Sequence, residues 1–162
     1  MSEDSGAPSE DSELVDRANT AFYEAMERGD LEALSALWLG EGDDGAEDVT
    51  PSCVHPGWPV LTGRGEVLRS YALIMANTEY IQFFLTDVAI AVAGPTALVT
   101  CTENILSGAP AEEGSDLGPL VGQLVVATNV FRRTDGGWKL WSHHASPVLA
   151  ETDQDESDEP PA

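Results

Sequence analysis

Basic residues are scarce in this chain. Its 162 residues include 29 acidic side chains but only seven basic ones, and Lys139 is its single lysine. The formal net charge is −22, and a surface of predominantly negative charge repels both nucleic acid and anionic membranes. We therefore expect neither of them to be a partner of this protein.

Cysteine is nearly absent as well. Cys53 and Cys101 lie far apart and lack the spacing of metal ligands, which argues against a disulfide framework and against a zinc site. Of the three histidines, His143 and His144 are adjacent on a predicted strand, so they point to opposite faces and cannot chelate one ion. The sequence therefore predicts two core thiols, no metal and no cofactor.

Long apolar runs are also missing. The N-terminus has neither the basic segment nor the apolar segment of a signal peptide, and no stretch approaches the length of a membrane span. We therefore predict a soluble, cytoplasmic protein.

The chain has an excess of acidic residues at both ends. Ten of them fall within the first eleven and the last twelve residues, outside any periodic pattern. We predict acidic disordered tails at 1–11 and 150–162 around one domain that spans 12–149. Residues 13–150 still carry 19 acids against 7 bases. Two interpretations stay open: adaptation to high salt, where counterions screen self-repulsion, or ordinary acidic tails on a mesophilic protein.

Three helices are predicted in the first half of the chain. The first covers residues 12–28, where apolar residues recur at helical spacing after a serine that can cap the helix, and Gly29 ends it. An aspartate can cap the second helix, which extends to about residue 39, and the third covers residues 64–76. Each helix has one apolar face available for packing.

The remainder of the domain reads as strands and loops. Three prolines between Pro51 and Pro59 forbid a long central strand, so we predict a short strand into His55 and an ordered loop to Gly63. Two long strands follow at 80–92 and 96–106, and polar loops are predicted at 41–47 and 107–118. The order of elements predicts an α+β fold whose antiparallel sheet curls around the first helix.

The last two strands, residues 120–147, form a hairpin around a turn that contains Gly136 and Gly137. The first strand is apolar on both faces, which predicts a central strand buried on both sides. On the second strand, Trp141 and His143 share a face. Asn129 joins that face if the loop has three residues with a glycine bulge, and lies opposite if the loop has two; we favour the bulge.

Several strings in these elements carry a resemblance to a known family. They are Ala21 to Met26, Gly29 to Leu34, Thr128 to Phe131, Asp135 to Leu140 and His143 to Pro147, with Val54 to Trp58, Leu61 to Arg64 and Ser70-Tyr71 between them. The chain resembles the SnoaL-like family, within the superfamily that includes nuclear transport factor 2 and ketosteroid isomerase. The segment from Val54 to Tyr71 is similar to one SnoaL-like subgroup.

The resemblance implies a cone: a curved sheet wrapped around a long first helix, with a pocket at the open end and homodimerisation through the outer sheet face. The last hairpin is also similar to the association domain of calcium/calmodulin-dependent kinases, whose pocket residues match Asn129 and Ala145. That similarity favours the register with Asn129, Trp141 and His143 towards the cavity. The family resemblance does not extend to the catalytic residues of ketosteroid isomerase, because that set has no complete match in this sequence.

Two residues are candidates for proton transfer. His143 is a neutral imidazole that could act as a general base, or could be a structural histidine bonded to the backbone. Glu103 is one of two carboxylates in the long strands predicted at 80–92 and 96–106; if it points inward, desolvation raises its pKa towards neutrality. Alternation alone leaves its face, and that of Asn104, open.

Other residues are candidates for ligand binding. His55 stands in a proline-framed loop that could position it at a pocket rim or merely tether the loop, and Asn129 needs partners for its amide in a buried strand. The predicted ligand-binding set is His55, Trp58, Tyr71, Asn129 and Trp141. We expect a cavity that binds a small, largely apolar organic ligand, with an isomerase or cyclase reaction as the enzymatic version. The alternative is a non-catalytic dimerisation or assembly module.

Overall fold

The computed structural model describes residues 9–40, 42–43, 49–108 and 119–149. The predicted tails, apart from residues 9–11, lie outside the described residues, as do most of the predicted loop at 41–47 and residues 109–118 of the other predicted loop. The elements are α1 Glu10–Arg28, α2 Leu31–Leu37, β1 Ser52–Val54, β2 Leu61–Thr62, α3 Arg64–Ala76, β3 Tyr80–Ala93, β4 Thr96–Gly108, β5 Leu120–Thr134 and β6 Gly137–Pro147.

Helix α1 begins two residues before the predicted start. The hydroxyl of Ser9, not that of Ser12, caps it, accepting a hydrogen bond of 3.0 Å from the amide of Ser12. Three acids in its first turn interact favourably with the positive end of the helix dipole. The helix ends as predicted, because Gly29 adopts the left-handed conformation (φ 68°) and closes the last turn.

Helix α2 is shorter than predicted, whereas α3 has the predicted bounds. After Leu37 the backbone turns extended and pairs with β6, where the amide of Leu39 donates to the carbonyl of Leu140 at 2.9 Å. Pairing with a strand is incompatible with a further helical turn, which explains the early end. Arg64 of α3 anchors the junction by donating to the carbonyl oxygens of Trp38 and Ser35, at 2.8 and 3.0 Å.

The six strands form one curved sheet in the order β2-β1-β6-β5-β4-β3, and β5 is central as predicted. All neighbours are antiparallel except β1 and β6, which are parallel, so the sheet is mixed. The segment predicted as a loop before Gly63 contains the short strand β2, paired with β1. A bulge between Thr86 and Ala89, with Asp87 at φ 55°, interrupts the pairing of β3 with β4. The predicted α+β cone fold is confirmed.

The concave face of the sheet covers α1 and forms the core, in which Phe22, Val99, Phe131 and Leu140 are fully buried or nearly so. The convex face is different. Val126 on β5 is 44% exposed, so within one chain β5 is not buried on both sides as the sequence predicted. An outward apolar residue on a central strand leaves this face available to a partner. Within the described residues, no helix is long and apolar enough to cross a membrane.

The hairpin differs from the predicted loop. Thr134 pairs with Gly137, so the loop has two residues and not three. The extra residue lies farther along β6, because Val130 pairs with Ser142 whereas Phe131 pairs with Leu140, which leaves Trp141 without a partner in the register. This bulge reverses the alternation of β6 at mid-strand.

Candidate functional site

A cavity of about 190 Å³ opens between α1, α3 and the concave face of the sheet. Its walls are largely apolar, with aromatic contributions from Trp58 and Phe83. Three titratable side chains line it: His55, Glu103 and His143. Because no lysine or arginine is among its lining residues in the described part of the chain, an anionic ligand would meet no countercharge there.

Glu103 points inward from β4 and is 3% exposed. Its Oε2 accepts a hydrogen bond of 2.5 Å from the hydroxyl of Tyr23 on α1. Burial raises the pKa of Glu103 to about 7, although the bond from Tyr23, which favours the carboxylate, opposes the rise. At neutral pH the carboxyl group is therefore divided between the protonated acid and the carboxylate, as a proton-transfer group requires.

Asn129 is the centre of a buried hydrogen-bond network. Its Nδ2 donates to Oδ1 of Asn19 at 2.8 Å and to the hydroxyl of Tyr23 at 3.2 Å. Both amide hydrogens are thereby used, so Oδ1, which can only accept, must receive the hydrogen of His143 Nδ1 at 2.6 Å. The amide orientation thus assigns the tautomer of His143.

His143 is a neutral base in this arrangement. Burial, together with the charges of His55 and His144, lowers the pKa of His143 to about 3. With its hydrogen on Nδ1, the ring has a lone pair on Nε2, and no side chain of the described residues bonds to that atom. His143 and Glu103 line one cavity and are joined through Tyr23 and Asn129.

His55 is held by a tight turn that the sequence encodes. His55-Pro56-Gly57-Trp58 closes with a hydrogen bond of 2.8 Å from the amide of Trp58 to the carbonyl of His55, and Gly57 has φ 83°. Proline followed by a residue with positive φ is the pattern of a type II turn. The turn brings the ring of Trp58 edge-on to His55, with 4.9 Å between centroids. Burial lowers the pKa of His55 to about 4, so this imidazole is also neutral.

The structure brings together four of the predicted site residues at the cavity, and a fifth contacts one of them from the buried interior. His55, Trp58, Glu103 and His143 line the cavity, whereas Asn129 is fully buried and bonds to His143. Asn104 faces outward, where its Nδ2 donates to the carbonyl of Phe84.

Two predicted ligand-binding residues lie elsewhere. Tyr71 is 1% exposed, packs edge-on against His55 at 4.9 Å, and lines a smaller adjoining pocket of about 130 Å³. Trp141 does not face the cavity, because the bulge in β6 turns it to the convex side, where Arg132 stacks over its ring at 5.8 Å. The prediction that Trp141 shares the face of His143 was wrong.

Sequence reasoning missed the partners that α1 contributes. Asn19 and Tyr23 are 1% and 3% exposed and bond to Asn129 and Glu103. A signal was available, since Asn19 falls four residues after Val15 within the apolar stripe of the helix. A polar residue in a buried stripe needs a buried partner.

The two thiols lie beside the site but are not activated. Cys101 is 3.7 Å from the hydroxyl of Tyr23, and Cys53 is 3.6 Å from that of Tyr71. Burial raises their pKa values, to about 11 for Cys101 and about 12 for Cys53. Both therefore stay protonated at neutral pH, and a thiol is a poor nucleophile. Within the described residues, no group of three or more His, Cys, Asp or Glu side chains could hold a metal ion.

Comparisons with known proteins agree with this fold. A family model described as a SnoaL-like domain matches residues 15–151. A crystal structure from Streptomyces avermitilis, of a proposed dehydratase of the NTF2-like family, is 74% identical, with a TM-score of 0.82 and coverage of 88% of this chain and 99% of that chain. A ketosteroid isomerase-like protein from Erwinia carotovora atroseptica shares the fold at 16% identity and a TM-score of 0.65, over 86% of this chain and 97% of that chain.

One curated protein is also similar. The F-box protein SKIP8 of Arabidopsis thaliana is 25% identical over 136 residues, which cover 84% of this chain and 50% of that protein. The chain thus spans about half the length of the curated relative that it matches.

Proposed function

The chain belongs to the SnoaL-like family, and from that premise we propose that it is an acid–base enzyme that removes water from a small, largely apolar hydroxyketone bound in the cavity. One observation carries the proposal: a neutral imidazole with a bare Nε2 and a carboxyl group with a pKa of about 7 line the same apolar cavity. Base and acid in one site are what an elimination needs. The name of the Streptomyces avermitilis relative, a proposed dehydratase, agrees with it.

The chemistry assigns one role to each group. Nε2 of His143 takes the hydrogen from the carbon beside the carbonyl, and Asn129 Oδ1 accepts from the imidazolium that results. Protonated Glu103 gives its hydrogen to the leaving hydroxyl, the carbon–oxygen bond breaks, a carbon–carbon double bond forms, and water departs. Solvent then takes the proton from His143 and returns one to Glu103. Without a leaving hydroxyl, the same two groups would shift a double bond, which is the isomerase version.

The first experiment is native mass spectrometry of the protein purified from its own source. A discrete extra mass that is released on denaturation would identify the ligand and direct the assays. If the protein carried no extra mass, the next step would be assays with defined probe compounds.

The defined probe is 4-hydroxy-4-phenylbutan-2-one, whose dehydration gives a conjugated enone that is followed by ultraviolet absorption. We expect turnover by the wild type, with losses of roughly a hundredfold or more for His143→Phe and for Glu103→Gln. The control is His144→Phe, which changes the neighbouring histidine on the convex face. Unchanged turnover in both cavity variants would refute the assignment.

A second probe separates the two roles. The ketone 4-phenylbutan-2-one has no hydroxyl to lose, so in heavy water it reports only the exchange of the hydrogens beside the carbonyl, measured by mass spectrometry. We expect His143→Phe to abolish this exchange and Glu103→Gln to affect it much less than it affects dehydration. Equal losses in both reactions would contradict the division of roles.

The alternative, an assembly module without catalysis, draws support from the exposed apolar residues on the convex face of the sheet, among them Leu98 and Val126. An assembly module has no use for the polar interior of the cone. The double variant Asn129→Leu, His143→Phe separates the two ideas: full cellular function in that variant would favour assembly, whereas loss of function in a folded variant would favour the enzyme.

A further inference from the structure

His55 is fixed in one tautomer by its neighbour on α3. The hydroxyl of Ser70 donates its single hydrogen to the carbonyl of Val67, at 2.6 Å. Its oxygen is therefore free only to accept, and it lies 2.8 Å from Nε2 of His55. Nε2 must carry the imidazole hydrogen.

The other nitrogen of that ring then has a lone pair. Within the described residues its hydrogen-bond contact is with the thiol of Cys53, whose Sγ lies 3.9 Å from Nδ1 and 3.7 Å from Nε2, and a thiol is a weak donor. His55 is 5% exposed and lines the cavity. A buried acceptor without a good donor is a position that a ligand can satisfy.

The two cavity histidines thus carry their hydrogens on opposite nitrogens. His143 is protonated on Nδ1 and His55 on Nε2, and their ring centroids are 6.5 Å apart. Both residues line the same cavity, so the lone pair of His55 would be a second acceptor beside that of His143. A group on the substrate that donates a hydrogen bond would satisfy this acceptor.

Resting on the proposed function, we infer that the substrate carries a second hydroxyl group, besides the one that leaves, and that this group donates to Nδ1 of His55. His55 is then a specificity-determining residue. The substrate class becomes an uncharged dihydroxylated ketone, because an ammonium donor would have to be desolvated in an apolar cavity. A phosphate or carboxylate would meet no lysine or arginine among the cavity's lining residues in the described part of the chain.

The tautomers can be tested without any ligand. Nitrogen NMR of the full chain labelled with ¹⁵N-histidine distinguishes protonated from bare ring nitrogens, and substitution of the three histidines one at a time assigns the signals. We expect a bare Nδ1 in His55 and a bare Nε2 in His143. The variant Ser70→Ala should convert His55 to a mixture of tautomers. A hydrogen on Nδ1 of His55 in the wild type would overturn the inference.

The second hydroxyl is tested by probes that differ in one group. Calorimetry compares 4-hydroxy-4-(3-hydroxyphenyl)butan-2-one with the phenyl compound that lacks the second hydroxyl. We expect about tenfold tighter binding of the dihydroxy probe, as one added hydrogen bond provides. The preference should vanish in His55→Phe and persist in His144→Phe. No preference in the wild type, its survival in His55→Phe, or no binding of either probe would refute the inference.

Three further outcomes bear on the two proposals. Tighter binding of the 3-aminomethyl analogue would assign a cation site and overturn the dihydroxy class. If kcat/KM were equal for the phenyl and hydroxyphenyl probes, the proposed dehydration would still hold, but His55 would not determine specificity. If the dihydroxy probe bound more tightly only when His55 was present, but neither probe was dehydrated, His55 would remain a binding determinant and the proposed dehydration would be refuted.

Discussion

Burial shifts the pKa of Glu103 and the pKa values of the two cavity histidines in opposite directions. It raises the pKa of Glu103 to about 7 but lowers that of His55 to about 4 and that of His143 to about 3. In each case the neutral form is favoured, because an apolar environment disfavours charge of either sign. All three groups are therefore uncharged over part of the neutral range, which suits an uncharged ligand.

The raised pKa of Glu103 has a consequence for stability. A folded-state pKa above the unfolded value of 4.5 gives stability that is fully present at low pH and is lost as pH rises through about 7. Glu103→Gln removes this loss. We expect its free energy of unfolding, relative to the wild type, to increase by about 3 kcal/mol between about pH 4 and about pH 8.

Urea denaturation across that range measures the difference. The control is Glu24→Gln, which removes a carboxylate from the exposed face of α1. The two histidines give the opposite slope, since their stability is lost as pH falls below the unfolded value of 6.5, but they are common to all variants and cancel. A relative stability of Glu103→Gln that falls or stays level with pH would contradict the expectation.

Tyr23 sets the pH at which Glu103 can act as an acid. Its hydroxyl bonds to the carboxylate and so lowers the pKa of Glu103. In Tyr23→Phe that pKa should rise further, by about one unit. Because the protonated acid is the active form in the proposed dehydration, the alkaline limb of the dehydration profile should move to higher pH.

The pH dependence of kcat/KM on the phenyl probe provides the measurement. Tyr80→Phe is the matched control, since Tyr80 is 37% exposed and bonds to Gln82 at the start of β3. An alkaline limb that stays in place or moves to lower pH in Tyr23→Phe would show that Tyr23 does not tune this acid.

Sequence alone could select the polar residues of the site but could not join them. His143, Asn129 and Glu103 stand out as polar residues in apolar strands, and His55 and Trp58 stand out in a proline-framed loop. Their contacts depend on side chains of α1 that meet the sheet only in the folded chain. The bond between Tyr23 and Glu103 joins residues 80 positions apart, and no local pattern encodes such a pair.

At the scale of elements, the turn that carries His55 and Trp58 depends on Gly57. Its φ of 83° is strained for any residue with a Cβ, although a Cβ there would touch nothing within 4 Å. Gly57→Ala should therefore lower the free energy of unfolding by about 1 kcal/mol. It should also weaken binding of the dihydroxy probe, because the turn holds His55.

Gly122 on β5 supplies the matched control. A Cβ at that position also meets nothing within 4 Å, and its φ lies outside the strained range. Gly122→Ala should thus leave stability within a few tenths of a kcal/mol or raise it slightly. Equal losses in the two variants under urea denaturation would mean that the backbone conformation at Gly57 carries no special cost.

Some element bounds followed from local signals, whereas the faces of β6 did not. Gly29 ends α1 as its conformational freedom predicts, and α3 spans the predicted residues. Strict alternation along β6 placed Trp141 beside His143, but a single unpaired residue at mid-strand reverses the inward positions. A bulge of this kind is set by how the strand fits against its neighbours and the core, and a one-residue slip exchanges every later face.

For the whole molecule, charge predicts a dependence on salt. Residues 13–150 alone carry 19 acids against 7 bases, so repulsion persists without the ends of the chain. Counterions at molar concentration screen it. We expect the melting temperature to rise between low and molar KCl, and to do so in a variant that lacks residues 1–8 and 150–162.

The two interpretations of the acidity separate in this experiment. A rise that persists in the shortened chain favours adaptation of the domain to high salt, whereas a rise confined to the full chain assigns the effect to its ends. Sucrose at matched osmolality controls for general exclusion from the protein surface. No rise in either chain would refute the halophilic interpretation.

The convex face of the sheet is where we expect a second copy of the chain. Phe84, Leu98, Leu124 and Val126 all point outward from neighbouring strands, with exposures of 37% to 53%. Central strands seldom leave an apolar face in water, and an isologous dimer would cover it on both copies. Val126→Glu would set two like charges against each other across the two-fold axis, so we expect a dimeric wild type and a monomeric variant in sedimentation equilibrium.

Leu73→Glu is the matched control for this test. Leu73 is 55% exposed and belongs to α3, not to a strand of the sheet, and the substitution adds the same charge to the same strongly acidic chain. It should therefore remain dimeric. If Val126→Glu also remained dimeric, or if the wild type were a monomer, the convex face would not be the interface. A folded monomer that still dehydrated the phenyl probe would show that each cone is complete by itself, as expected if all the groups that act on the substrate come from one chain.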